Sequence, residues 1–120
     1  MEEAFATLRD MMARHAGHLK VLSDEPGNYC VDTFHVRENG QEMFFGAVKL
    51  KKSYVSYHLM PVYVNPGLLD GMSEGLGKRM QGKSCFNFRR IDETLFEELD
   101  SLTAAGLEDY ARAGLLGTPR

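Results

Sequence analysis

Hydrophobic positions at the start of the chain recur with a helical period. Phe5, Leu8, Met12 and His15 share one side, with Met11 alongside, while Glu2, Glu3, Arg9, Asp10 and Arg14 take the other. This spacing predicts an amphipathic helix over 3–16, with Gly17 as its stop. The segment "LKVLS" that follows reads as a short first strand or an extended connection. "DEPGN", Asp24 to Asn28, is a turn built on Pro26 and Gly27.

Two strand-like runs then flank Asn39-Gly40 in "NYCVDTFHVRENGQEMFFGAVKLK". Asn-Gly suits the two positive-φ positions of a two-residue hairpin turn, and such a turn fixes the register. Arg37 then faces Glu42 beside the turn. His35 faces Phe44, Val31 faces Val48 and Tyr29 faces Leu50 on the side expected to pack on the helices. Val36 faces Met43, Phe34 faces Phe45, Asp32 faces Ala47 and Cys30 faces Lys49 on the other. "YVSYHLMPVY" predicts a third long strand, ended or held at a sheet edge by Pro61. "NPGLLDGMSEGLGKRMQG" keeps a helical period through Leu68, Leu69, Met72, Leu76 and Met80, but its glycines predict a weak or broken helix between loops. "SCFNF" is a short last strand. Asp92 then caps a helix running to about Ala113, with Leu95, Leu99, Leu102, Gly106 and Tyr110 as its inner stripe. The tail, from about residue 114, is expected to fray. The order predicts one α+β domain over 1–120. Four to five antiparallel strands form a two-layer fold with an N-terminal helix, a short Gly-rich helix and a long C-terminal helix.

Composition adds few constraints. A chain of 120 residues, 43% hydrophobic and 26% charged, can bury a core without disulfide or metal staples. No apolar run approaches the roughly 18 residues that span a bilayer. The N-terminus lacks the basic start and apolar centre of a secretory signal, so a cytoplasmic location and free thiols at Cys30 and Cys85 are expected. Charge is uneven: residues 47–90 carry 8 basic and 2 acidic side chains, whereas both flanking segments are acidic. A basic centre of this kind either attracts an anion or lines exposed strand edges with lysine. The pI of about 5.8 argues against a dedicated nucleic-acid binder.

Candidate chemistry is sparse. "GKRMQGKS", Gly77 to Ser84, fits the phosphate-binding pattern G-x-x-x-x-G-K-[ST]. That pattern requires a strand before it and a helix after it, so that a helix N-terminus meets the anion. Here the upstream segment has a helical period and the downstream segment alternates like a strand, so Gly82-Lys83 reads as a turn into the last strand. Cys30 and Asp32 share a strand face that His35 does not, which breaks up a nucleophile, acid and base set. His58 with Ser56 is generic. His15 and His18 have ligand-like spacing but no carboxylate or cysteine near them in sequence. No catalytic residue, cofactor or metal site is expected.

"KLKKSYVSYHLMPVY", then "GKSCFNF" and the helix carrying "LFEELDSL", resemble the YdhG-like domain of unknown function over roughly residues 15–113. The resemblance implies an antiparallel sheet with helices and no defined activity. Some members are described as frataxin-like iron chaperones, which makes iron handling one alternative. A site of that type needs an acidic ridge, whereas Glu2, Glu3 and Asp10 are spread along the first helix and mixed with Arg9 and Arg14. A homodimer joined through the aromatic sheet face is the other alternative. The leading expectation is a non-catalytic binding module for a small anionic ligand or a protein partner, with no nucleic acid or membrane involved. Its expected site is Phe34, Phe45, Lys49, Lys51, His58 and Lys83. The lysines would meet the anionic group while the aromatics hold an apolar part.

Overall fold

The helical stripe at the N-terminus folds as its spacing requires. In the computed structural model, which describes residues 1–119, α1 (Glu2–Arg14) turns Ala4, Leu8, Met11 and Met12 inward. Strand β1 (Lys20–Glu25) leads through the Pro26-Gly27 turn into β2 (Asn28–Val36), and β3 (Glu42–Leu50) and β4 (Val55–Leu59) follow. Pro61 does not lie in a strand. It sits in the first turn of the short helix α2 (Met60–Val64), where its missing N–H costs nothing. A single 3-10 turn (Pro66–Leu69) and α3 (Glu74–Gly77) come next. The chain ends with β5 (Met80–Gln81), β6 (Cys85–Phe88) and α4 (Glu93–Arg112).

The strands form one antiparallel sheet in the order β1-β2-β3-β4-β6-β5. The α+β reading holds, with six strands where four to five were expected. The extra one is the two-residue β5, too short to show a period. The helices cover one face. Tyr29, Val31, Phe45, Val48, Val55, Tyr57, Leu59, Phe86 and Phe88 meet Leu8 and Met12 of α1 and Phe96, Leu99 and Tyr110 of α4 in a single core. The inner stripe of α4 is rotated slightly from its expected position. Phe96 and Thr103 are buried, while Leu95 and Leu102 pack at its margin. Asp92 caps α4 as expected, accepting from Leu95 N at 3.1 Å. Inside the core, the Tyr57 and Thr103 hydroxyls share a 2.7 Å hydrogen bond, which satisfies two polar groups in an apolar setting.

The β2–β3 register departs from expectation. Tyr29 faces Val48 rather than Leu50, and Cys30 faces Ala47 rather than Lys49. Only Gly40 has positive φ, at 84°, whereas a two-residue Asn-Gly turn needs it at both positions. The loop is longer: Gly40 N donates to Arg37 O, Arg37 N to Gln41 O, and Gln41 N to the Asn39 side chain. Glu42 faces Val36, not Arg37, and its carboxylate meets Lys20 Nζ at 2.7 Å.

A bulge then splits β3. Val31 faces Gly46 and Asp32 faces Phe44, which leaves Phe45 unpaired between them. Phe45 and Gly46 both turn to the helices, and the near half of β3 is reversed. Phe45 and Met43 join the core, and Phe44 moves to the open face. The tail, expected to fray, lies against β2 as far as Gly117. Leu116 O accepts from Phe34 N at 2.8 Å, and Leu115 and Leu116 pack against the core.

Candidate functional site

With both long helices on one side, the other side of the sheet carries no helix. Pairing places Cys30, Ala47, His58 and Cys85 in one row across β2, β3, β4 and β6. Asn28, Lys49, Ser56 and Asn87 form the next row. Neighbours in such rows stand roughly 5 Å apart, so these side chains make one surface. Ala47 is small and buried, so its larger neighbours in the row close over it.

His58 is the centre of this face. It is half-buried, its Nε2 lies 2.8 Å from Ser84 Oγ, and the Phe44 ring packs edge-on against it with centroids 4.9 Å apart. Burial first, and the Lys49 charge second, hold its pKa below the ordinary histidine value. The folded protein therefore binds this proton more weakly than the unfolded chain does. Stability should fall as pH drops through the ordinary value near 6.5 toward the lowered folded value, and stay level above it. We expect the melting curve of His58→Gln to lose this component. Its Tm should converge on that of the wild type between pH 8 and pH 5. An unchanged pH slope would show that His58 is not held neutral.

The Cys30 thiol is not poised to react. Cys30 is pushed up, mainly by burial and then by Asp32, and so favours the weakly nucleophilic thiol form. Neither cysteine is bridged. Asp32 is also pushed up, by burial and by Glu42, with Lys20 opposing. Asp32 and Phe44 line a cavity of about 520 Å³ with Arg37, Gln41, Glu42 and Met60. Among the described residues no three His, Cys, Asp or Glu side chains converge as a metal set. The serine–histidine pair also lacks an acid partner for the histidine among the described hydrogen bonds.

The structure scatters the residues expected to form the site. His58 and Lys49 share the open face, His58 half-buried and Lys49 exposed. Phe34 is half-buried in the irregular stretch of β2 between Asp32 and Val36, where its N–H donates to Leu116 O. Phe45 is fully buried on the helical side, because the bulge turns it inward. Lys51 lies in the β3–β4 turn, beside a separate cavity lined by Met1, Glu2 and Glu3. Lys83 lies exposed in the turn between β5 and β6. Gly77 closes α3 and Ser84 precedes β6, so "GKRMQGKS" has the helix-before, strand-after flanks read from its sequence. Phe44, Ser84, Cys85 and Asp32 were not among the expected site residues. Alternation in "SCFNF" opposes Cys85 and Asn87 to Phe86 and Phe88. No comparable sequence signal marks the bulge that exposes Phe44.

The chain matches no protein-family model, no curated protein and no solved structure.

Proposed function

We propose that the chain is a non-catalytic binding module of the YdhG-like type, working through the open face of its sheet. The observation that supports this is a helix-free face whose centre is a half-buried His58 held by Ser84 and Phe44. The occupant is a small ligand with an anionic group, or a protein partner presenting one. Lys49 supplies the charge at the rim, His58 and Ser84 supply hydrogen bonds, and Phe44 supplies apolar area. A neutral imidazole next to a hydroxyl can accept or donate without carrying a buried charge.

A thermal-shift screen of small organic acids and phosphates tests the reading. A compound that raises the wild-type Tm should lose that effect, with affinity down roughly tenfold or more, in Lys49→Glu and in His58→Ala. Full retention of the shift in both variants would place the ligand elsewhere.

A further inference from the structure

Arginine partners follow a pattern across this protein. Arg9 meets Asp10 and Asp24, Arg14 meets Asp100, and Arg112 meets Asp109. Arg37 donates to the Gln41 side chain. Among the described residues, three arginines make no such bond, and all three line one cavity of about 610 Å³: Arg79, Arg89 and Arg90, with Phe88 and Asp92. The backbone holds them there. Arg79 N donates to Leu76 O at the end of α3, and Arg79 O accepts from Asn87 N at 2.8 Å across the β5–β6 edge. Arg89 and Arg90 occupy the two positions between β6 and the Ile91-Asp92 entry to α4.

The chain has 17 acidic side chains, enough to neutralise these three cations, yet among the described residues the fold brings Asp92 alone into the cavity with them. Its Oδ1 caps α4, and its single charge offsets only part of the three arginines' charge. Clustered cations repel one another, and the repulsion is relieved by an anion with several oxygens. Planar guanidinium groups match the oxygens of phosphate in paired hydrogen bonds. A second cleft of about 200 Å³ shares Arg79 and Arg89 and adds Tyr54, Lys78, Gln81 and Asn87. The two clefts together offer more charge than one phosphate needs.

We propose that this arginine cavity, on the β5–β6 edge and bordering the open face at Asn87, binds the diphosphate group of a small molecule. The arginines supply all the neutralising charge, so binding needs no magnesium and does not use the Gly82-Lys83 turn as a phosphate loop.

The test is calorimetric titration of the full chain at low salt with EDTA, using inorganic pyrophosphate and, separately, ADP. Saturable binding of one pyrophosphate per chain is expected, weakened roughly tenfold or more in Arg79→Gln and in Arg89→Gln. It should be unchanged in Arg112→Gln, whose partner is Asp109. Tighter binding of ADP than of pyrophosphate supports the proposal with a ring seated against Tyr54. Equal binding supports it with the diphosphate alone. Both arginine positions are exposed, so these variants should melt within about 2 °C of the wild type. Absence of saturable pyrophosphate binding, or a loss in Arg112→Gln equal to that in Arg89→Gln, overturns the proposal. Loss in His58→Ala alone would move the anion to the sheet face.

Discussion

Phe45→Ala should lower the melting temperature by roughly 10–20 °C, whereas Phe44→Ala, one residue earlier, should lower it far less. Phe45 is fully buried and its ring packs edge-on against Tyr110 at 5.9 Å. Truncating such a side chain removes its transfer energy and leaves a cavity, about 3–5 kcal/mol together. A domain of this size has roughly 5–15 kcal/mol in total, so the variant keeps its fold with a much reduced margin. Phe44 is half-buried on the open face against His58, and removing it opens a groove to water instead of a void. Thermal melts of both variants decide the matter. If the two phenylalanines exchanged these behaviours, Phe45 would be the surface residue that plain alternation makes it, and the bulge would be absent.

Gly46→Ala should cost about 2–3 kcal/mol, the upper part of the range for overpacking. A Cβ at this position would lie 2.7 Å from Met12 Cε and 2.8 Å from His58 O. The methionine end could shift, but Met12 is itself fully buried, and the carbonyl belongs to the central strand β4. Relief therefore requires β3 to move away from either α1 or β4. Denaturant unfolding should show a lower midpoint with an unchanged slope, the mark of a less stable but equally compact fold. Stability equal to that of the wild type would mean that the helix does not approach the bulge this closely.

These two variants probe the place where sequence reasoning failed. Most of the architecture was legible because burial imposes a period: α1 and α4 through their stripes, β2 and β6 through alternation, and α4's start through Asp92. The β2–β3 register was not legible. Asn39-Gly40 is also compatible with a longer loop in which only Gly40 takes positive φ, at 84°. Inserting one residue at Phe45 then reverses the side chains of β3 toward the hairpin end, and β2 carries a second irregularity between Asp32 and Val36. Phe34 and Phe45 were paired by alternation, but among the described residues neither has a strand partner in the sheet, and Phe45 is fully buried. Met43 and Phe44 exchange roles through the reversal in β3.

The candidate site was legible in part. His58 and Lys49 lie on the face that alternation gave them. Ser84, which holds His58, is far away in sequence and comes near only because β6 pairs with β4 across the intervening helical segment. The arginine cavity depends on the same long-range step. Arg79 is brought to Arg89 by a two-residue strand that no periodicity reveals. Segment charge identified the basic centre of the chain but could not say which of its cations converge.

The proposed binding surface is the helix-free face of the sheet. Backbone amide NMR of the labelled full chain, titrated with the best compound from the thermal-shift screen, tests it most directly. Chemical-shift changes should concentrate on Cys30, Phe44, Ala47, His58, Ser84 and Cys85, with α1 and α4 quiet. Changes confined to the outer surfaces of α1 and α4 would contradict it.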